Sequence, residues 1–122
     1  MSQTILIVDD EPGISDNLAI YLEDEGLQVY TAQSGEEALR RIDAGLRIQT
    51  CVMDLRLPGM SGIETIMAIH HRIPTMRFII HTGSEDEIVT TTLQLAGVNQ
   101  LPIFRKPLTN MATLTQLLHT YY

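Results

Sequence analysis

The segment ILIVDD, residues 5–10, decides the fold of this 122-residue chain. An unbroken aliphatic run predicts a strand buried on both faces, which is typical of parallel sheets covered by helices. Asp9 and Asp10 stand where that strand ends, and a second apolar run, TCVM at 50–53, ends in the same way at Asp54. Because the carboxyl ends of parallel strands meet at one edge of a sheet, we expect these three carboxylates to lie together.

Further β-rich runs alternate with amphipathic segments along the rest of the chain. Strands are predicted at Thr4–Val8, Leu27–Thr31, Thr50–Met53, Phe78–His81 and, more weakly, Leu101–Phe104. Helices are predicted from Ile14 to a stop at Gly26, from Ser34 to Ala44 before Gly45, and from near Ser61, Ser84 and Asn110 onward. This alternation predicts an α/β fold with a single (βα)5 doubly wound parallel sheet in strand order 2-1-3-4-5.

Three of the helix starts carry the same capping signal, a serine followed three residues later by a glutamate. In a capping box the serine hydroxyl accepts the backbone N–H of the glutamate, whose carboxylate accepts the backbone N–H of the serine. The pattern predicts such boxes at Ser34 with Glu37, Ser61 with Glu64, and Ser84 with Glu87.

Composition narrows the class of protein. The length suits one domain, residues 1–122, and the formal net charge of −7 argues against direct binding of nucleic acid, which depends on Lys and Arg. The apolar runs are too short to cross a membrane, and without a basic leader segment we expect a cytoplasmic protein. The single cysteine, Cys51, lies inside an apolar run and is predicted to be a small buried hydrophobe.

The clustered carboxylates predict a metal site. Like charges held together repel one another and would take up protons unless a hard cation compensates them. Mg2+ prefers oxygen ligands and completes its coordination shell with waters or a phosphoryl oxygen. A helix N-cap is the alternative role for Asp9 and Asp10, since Glu11, Pro12 and Gly13 follow them. Glu11 itself is predicted to be a first-turn charge that favours the helix dipole rather than a ligand.

Four segments together resemble the receiver domain of bacterial response regulators, the CheY-like family of two-component signal transduction. They are IVDDE at 7–11, MDLRLPGMSG at 53–62, HTG at 81–83 and KP at 106–107. Each follows or closes a predicted strand, in chain order, and the resemblance covers essentially the whole chain. It implies a flavodoxin-like fold, in agreement with the predicted strand order.

The resemblance implies a role for each matching residue. Asp54 would accept a phosphoryl group from a histidine kinase or phosphotransfer protein. Mg2+ would be held by Asp10, Asp54 and the backbone carbonyl of Arg56, with Asp9 acting directly or through a water. Lys106 and Thr82 would contact the phosphoryl oxygens, Pro107 would form a cis peptide, and Gly83 would keep the site accessible.

The chain departs from the family at the fifth strand. Many receivers carry an aromatic residue three positions before the lysine, where this chain has Ile103, and its Phe104 is predicted to face the other side of the strand. Pro102 limits hydrogen bonding there. The hypothesis is that this strand is a short edge and that signalling relies more on Thr82 and the predicted fourth helix.

The resemblance favours a signalling module that switches conformation to control a downstream effector or output domain, as a monomer or a phosphorylation-dependent dimer. The partner surface would be the face of the fourth helix, fifth strand and fifth helix, with Ile88, Val89, Leu93, Leu117, Leu118, Tyr121 and Tyr122. The first alternative is a Mg-dependent phosphohydrolase with an aspartyl-phosphate intermediate, but Arg56 occupies the position of its second acid. A nucleotide or flavin binder lacks its glycine-rich motif here. A phosphate-independent scaffold is the remaining alternative.

Overall fold

Five parallel strands form one sheet in the order β2-β1-β3-β4-β5. The computed structural model describes residues 3–83, 97–98, 102–106 and 111–120. The strands are β1 (Thr4–Val8), β2 (Gln28–Ala32), β3 (Thr50–Met53), β4 (Arg77–Thr82) and β5 (Ile103–Arg105). The doubly wound α/β architecture and its strand order are therefore confirmed.

Helices cover both faces of the sheet. They are α1 (Pro12–Asp24), α2 (Gly35–Asp43), α3 (Gly62–Arg72) and a C-terminal helix (Met111–Thr120). The predicted stops hold, because Gly26 and Gly45 follow α1 and α2 with φ of 89° and 106°, in the left-handed region that glycine tolerates. The helix predicted to begin near Ser84 lies outside the described residues. None of the described helices has the length and apolar character needed to span a bilayer.

The capping predictions are only partly right. Ser61 and Glu64 form the complete reciprocal box at the start of α3. At α2, Ser34 accepts the Glu37 N–H as expected, but the Glu37 carboxylate accepts the Gln33 N–H at 2.9 Å instead of that of Ser34. The serine cap is therefore correct and the box at α2 is wrong, because Gln33 offers a competing donor one residue earlier. Ser84 and Glu87 lie outside the described residues.

The core lies on the two faces of the sheet. On one face, Leu6, Met53 and Ile80 of the central strands pack with residues of α2 and α3. On the other face, Ile7 and Val52 pack with Leu18 of α1 and Leu114 of the C-terminal helix. Since β1 and β3 are buried on both faces, their ends are held at fixed positions at the sheet edge.

The fifth strand is short and lies at the edge of the sheet, as predicted. Ile103 pairs with Ile80 and is 44% exposed, whereas Phe104 packs against the α1 side of the core. The two side chains therefore face opposite sides, and the aromatic ring is not on the side of Ile103. Pro102 supplies only its carbonyl, which accepts the Ile80 N–H at 2.8 Å.

Candidate functional site

The carboxyl ends of β1 and β3 bring Asp9 and Asp54 together. Val8 pairs with Met53 in the parallel register, so the residues that follow them leave the sheet side by side. The Asp54 N–H donates to the Val8 carbonyl at 2.9 Å, and the Asp9 N–H to the Ala32 carbonyl at 3.0 Å. Asp9 and Asp54 are only 2% and 4% exposed, which is unusual for carboxylates without a partner.

Lys106 supplies that partner. Its backbone N–H continues the β4–β5 pairing by donating to the Thr82 carbonyl at 3.0 Å. The ammonium Nζ then lies 2.9 Å from Asp9 Oδ2, 3.0 Å from Asp54 Oδ2 and 3.1 Å from Glu11 Oε1. One cation therefore bridges three carboxylates from two strand ends.

The environment of Lys106 keeps it charged. Burial by itself favours the neutral amine, but the hydrogen bonds to Asp9, Asp54 and Glu11 outweigh burial and raise the pKa of Lys106 above its ordinary value. The ammonium is a permanent positive charge beside Asp54 at physiological pH.

The remaining carboxylate oxygens of the two buried aspartates accept backbone N–H groups. Asp9 Oδ1 accepts the Glu11 N–H at 2.9 Å, and Asp54 Oδ1 accepts the Arg56 N–H at 3.2 Å. The N-cap of α1 is Glu11, without a side-chain capping bond, so Asp9 and Asp10 are not the helix cap that the alternative interpretation required. These contacts fix the orientation of both carboxylates.

Glu11 has a contact that sequence reasoning missed. It was predicted to favour the helix dipole, yet its carboxylate pairs with Lys106, 95 residues further along the chain. The position of Glu11 directly after the two aspartates was a signal that it could join the site. Its partner, Lys106, could not be predicted because the contact depends on the tertiary structure.

The acidic group has the chemistry of a Mg2+ site. Ligand oxygens of Asp9, Asp10, Glu11 and Asp54 lie within 4.8 Å of one another, and Asp10 and Glu11 are exposed. Lys106 balances only one of these four negative charges, so a divalent cation fits the donor set. An open cleft of about 410 Å³ lies over the group and is lined by Asp10, Glu11, Asp54, Arg56, Thr82, Gly83 and Lys106.

Thr82 ends β4, Gly83 follows it, and both line this cleft. Thr82 is 1% exposed and pairs with Arg105 in the register, which places it next to Lys106. Among the described residues, a Cβ built on Gly83 would have the Lys106 Cβ as its neighbour, at 4.0 Å. Pro107 lies outside the described residues.

The position of Gly62, at the start of α3, requires a glycine. A Cβ at this position would lie 2.6 Å from the Leu55 Cα and would collide with the Asp54 carbonyl oxygen. The Gly62 N–H donates to the Leu55 carbonyl at 3.1 Å. The helix can approach the backbone of Asp54 this closely only because residue 62 has no side chain.

His81 lies next to Thr82 and is 4% exposed. Among the described residues, its Nε2 has no hydrogen-bond partner. Burial, followed by the charge of Lys106, lowers the pKa of His81, against the opposing effect of Asp9, Asp54 and Glu11. The folded protein therefore favours the neutral imidazole more strongly than the unfolded chain does, in which His81 has its ordinary pKa of 6.5.

The buried imidazole makes stability depend on pH. Between its unfolded and folded pKa values the unfolded chain binds more protons, so the free energy of unfolding falls as the pH drops below 6.5. We expect His81→Leu to lose less stability than the wild type between pH 7.5 and pH 5.5, as measured by urea unfolding at both values. Equal losses in the two proteins would contradict a neutral buried His81.

The other singled-out residues lie away from the cleft. Cys51 is fully buried in β3, where burial raises the pKa of its thiol to about 12, as expected of an inert core residue. His70 and His71 lie in the last turn of α3, and His119 lies in the C-terminal helix.

Comparison with known proteins identifies the family. The model of the response regulator receiver domain matches residues 5–119. The chain belongs to this family. Its function is accordingly that of a receiver domain in two-component phosphorelay signalling.

Individual relatives support the assignment. The regulatory protein VanR of Enterococcus faecium is 38% identical over 88 residues, which are 72% of this chain and 37% of VanR. A CheY-like receiver domain protein from Methanospirillum hungatei superposes with a TM-score of 0.87 at 28% identity, covering 98% of this chain and 94% of that one. The chain spans two fifths or less of the length of the curated relatives it matches.

One solved relative was crystallised with a ligand. The response regulator TrrA of Thermotoga maritima was solved in complex with Mg2+ and BeF. It is 28% identical and superposes with a TM-score of 0.82, covering 98% of this chain and 99% of TrrA.

Proposed function

We propose that Asp54 is the phosphoacceptor of this receiver domain and that Mg2+ binds beside it. The observation that carries the proposal is the convergence of Asp54, Lys106 and the acidic group at one cleft. Asp10, Asp54 and the backbone carbonyl of Arg56 are the proposed ligands, with Asp9 acting directly or through a water. Bound Mg2+ supplies positive charge that balances the carboxylates and the oxygens of the transferred group.

The proposed reaction needs no general base. A carboxylate oxygen of Asp54 attacks phosphorus, an O–P bond forms, and the bond between phosphorus and the donor histidine nitrogen breaks, leaving the electron pair on that nitrogen. The Lys106 ammonium, already 3.0 Å from Asp54 Oδ2, donates to a phosphoryl oxygen. Thr82, at the end of β4, offers the hydroxyl that reaches another. The product is an acyl phosphate on Asp54.

The chain would catalyse only its own phosphorylation and dephosphorylation. A phosphohydrolase of the same type needs an acid at position 56 to protonate the leaving group, and the residue there is arginine. Arg56 contributes its backbone N–H to Asp54, and its side chain is exposed at the cleft. The enzyme alternative is therefore not favoured.

The proposed partners are a sensor histidine kinase or phosphotransfer protein upstream and an effector or output domain downstream, in the cytoplasm. The β5 face supports the downstream surface, because Ile103 is a large apolar side chain that is 44% exposed there. Leu117 of the C-terminal helix is half-buried, whereas Leu118 is part of the core. The other predicted members of this surface, Ile88, Val89, Leu93, Tyr121 and Tyr122, lie outside the described residues.

A phosphoryl mimic tests the site without a cognate donor. Beryllofluoride with Mg2+ is added to the 15N-labelled protein, and the backbone amide resonances are followed by NMR. We expect the amides of Arg56, Gly83 and Lys106 to shift only when both components are present, and Asp54→Asn to show no such shift. Shifts of the same size in Asp54→Asn would contradict the assignment of Asp54.

A further inference from the structure

The loop between β3 and α3, residues 55–61, carries the backbone part of the proposed metal site. It begins directly after Asp54 and contains Arg56, whose N–H donates to Asp54 Oδ1 at 3.2 Å. The position of the Arg56 carbonyl therefore depends on how this loop is held. The loop is longer than a tight turn, so contacts from outside it matter.

The end of the loop is fixed by α3. Gly62 donates its N–H to the Leu55 carbonyl at 3.1 Å and packs against the backbone of Asp54 and Leu55. The capping box of Ser61 and Glu64 fixes the same end. These contacts close the loop at its base but do not reach its tip, at Gly59 and Met60.

The tip is held from α2, by Glu36. The Met60 N–H is shared between the two carboxylate oxygens of Glu36, at 3.4 Å from each. Gly59 has φ of 71°, and a Cβ on it would lie 2.6 Å from Glu36 Oε2. The carboxylate therefore lies over a backbone segment where only glycine allows so close an approach.

The helix that carries Glu36 is itself well anchored. Ala38 and Ile42 of α2 are buried in the core, and the Ser34 side chain caps the helix start. Gly35, next to Glu36, lies directly against the Thr65 side chain of α3. Because α2 is anchored in the core, its residue Glu36 holds the tip of the loop in place. Glu36 lies 24 residues before Met60 in the chain.

We propose that Glu36 is a positioning residue that sets the Mg2+ affinity of the site by holding the 55–61 loop. Glu36 belongs to α2 and is not one of the proposed ligands, and it acts through Gly59 and Met60 on the Arg56 carbonyl. The inference rests on the proposed function in one respect, namely that Mg2+ binds at Asp10, Asp54 and this carbonyl. Residues that orient metal ligands from outside typically change metal affinity by about 10- to 100-fold, so we expect about three- to tenfold for this indirect contact.

The test compares two neighbouring glutamates of α2. Glu37 is the matched control, because it is also an acid of the first helical turn, but its carboxylate accepts the Gln33 N–H and does not contact the loop. Mg2+ is titrated into the wild type, Glu36→Ala, Glu37→Ala and Glu36→Gln, and its dissociation constant is measured by isothermal calorimetry. We expect Glu36→Ala to bind Mg2+ about three- to tenfold more weakly than the wild type. The dissociation constant of Glu37→Ala should stay within about twofold of the wild-type value. Glu36→Gln keeps an acceptor for the Met60 N–H and should recover most of the affinity.

Each outcome separates the possible explanations. Equal weakening in Glu36→Ala and Glu37→Ala would overturn the proposal, because loss of negative charge or of helix stability would then explain both. A Glu36→Gln protein as weak as Glu36→Ala would overturn it too, since the charge rather than the hydrogen bond would be responsible. A wild type that binds Mg2+ with no change in Glu36→Ala refutes the role of Glu36 alone, whereas a wild type that does not bind Mg2+ refutes the proposed function and with it this inference.

Discussion

Replacing Lys106 by methionine is expected to destabilise the fold by about 3 kcal/mol in the absence of divalent cations. Asp9 and Asp54 are 2% and 4% exposed, and the Lys106 ammonium is the cation placed within 3.0 Å of both. Removing one partner of a buried ion pair leaves an uncompensated charge, which costs about 3 to 5 kcal/mol. The lower end applies because the cleft is open to water on the side of Asp10 and Glu11.

Added Mg2+ should reduce the difference in the free energy of unfolding between Lys106→Met and the wild type. A cation that binds the folded protein and not the unfolded chain stabilises it by mass action, by about 2.7 kcal/mol at 100 times its dissociation constant. Mg2+ would compensate the carboxylates that the methionine variant leaves unpaired, so we expect the variant to gain more from it than the wild type. Urea unfolding of both proteins, with and without Mg2+, measures the effect.

An exposed ion pair provides the control for the lysine. Arg72 pairs with Asp43 at 2.8 Å, but their side chains are 36% and 57% exposed. Because such surface pairs contribute little, Arg72→Met should change stability only slightly, and Mg2+ should not alter its difference from the wild type. A Lys106→Met protein as stable as the wild type without Mg2+ would show that the buried carboxylates do not depend on this lysine.

Gly62→Ala is expected to cost about 2 to 3 kcal/mol of stability, the upper part of the range of about 1 to 3 kcal/mol that is usual for an atom forced into a filled space. The added Cβ would meet the backbone of Asp54 and Leu55, which cannot rotate away as a flexible side chain could. The strain falls on the residue that is proposed to accept the phosphoryl group. We therefore also expect slower phosphorylation of the folded variant by acetyl phosphate.

Gly13→Ala is the matched control for this substitution. Gly13 lies in the first turn of α1, and a Cβ there has no heavy atom of the described residues within 4 Å. Alanine should leave stability unchanged or raise it by up to about 1 kcal/mol, because it restricts the unfolded chain without a clash. Urea unfolding of both variants gives the comparison, and a Gly62→Ala protein that unfolds like Gly13→Ala would contradict the close packing at Asp54.

Most of the fold was predictable because strands that are buried on both faces of the sheet appear in the sequence as continuous apolar runs. The predicted bounds of β1 and β3 are correct, because continuous apolar runs end there at charged residues. The predicted bounds of β2 and β4 each differ from the observed bounds by one residue at both ends. The fifth strand was predicted at Leu101–Phe104, but the structure has it at Ile103–Arg105. Its last residue was missed because Arg105 joins the strand through its pairing with Thr82, which the local sequence does not show.

The site was predictable where it follows strand ends, and less so where it depends on contacts between distant segments. Asp9, Asp54 and Thr82 lie at strand ends, where the apolar runs predicted them, whereas Lys106 was singled out by the family resemblance. The pairing of Glu11 with Lys106 and the contact of Glu36 with Met60 have no local pattern that identifies the partner. That the domain occupies all of residues 1–122 stays a prediction, since the family match covers 5–119.

Intact mass after incubation with acetyl phosphate tests the central claim most directly. The wild type should gain the mass of one phosphoryl group only in the presence of Mg2+, and hydroxylamine, which cleaves acyl phosphates, should remove it. Asp54→Asn should gain nothing under the same conditions. A Mg-dependent, hydroxylamine-sensitive gain that persists in Asp54→Asn would contradict the assignment of Asp54, and a gain independent of Mg2+ would contradict the metal site.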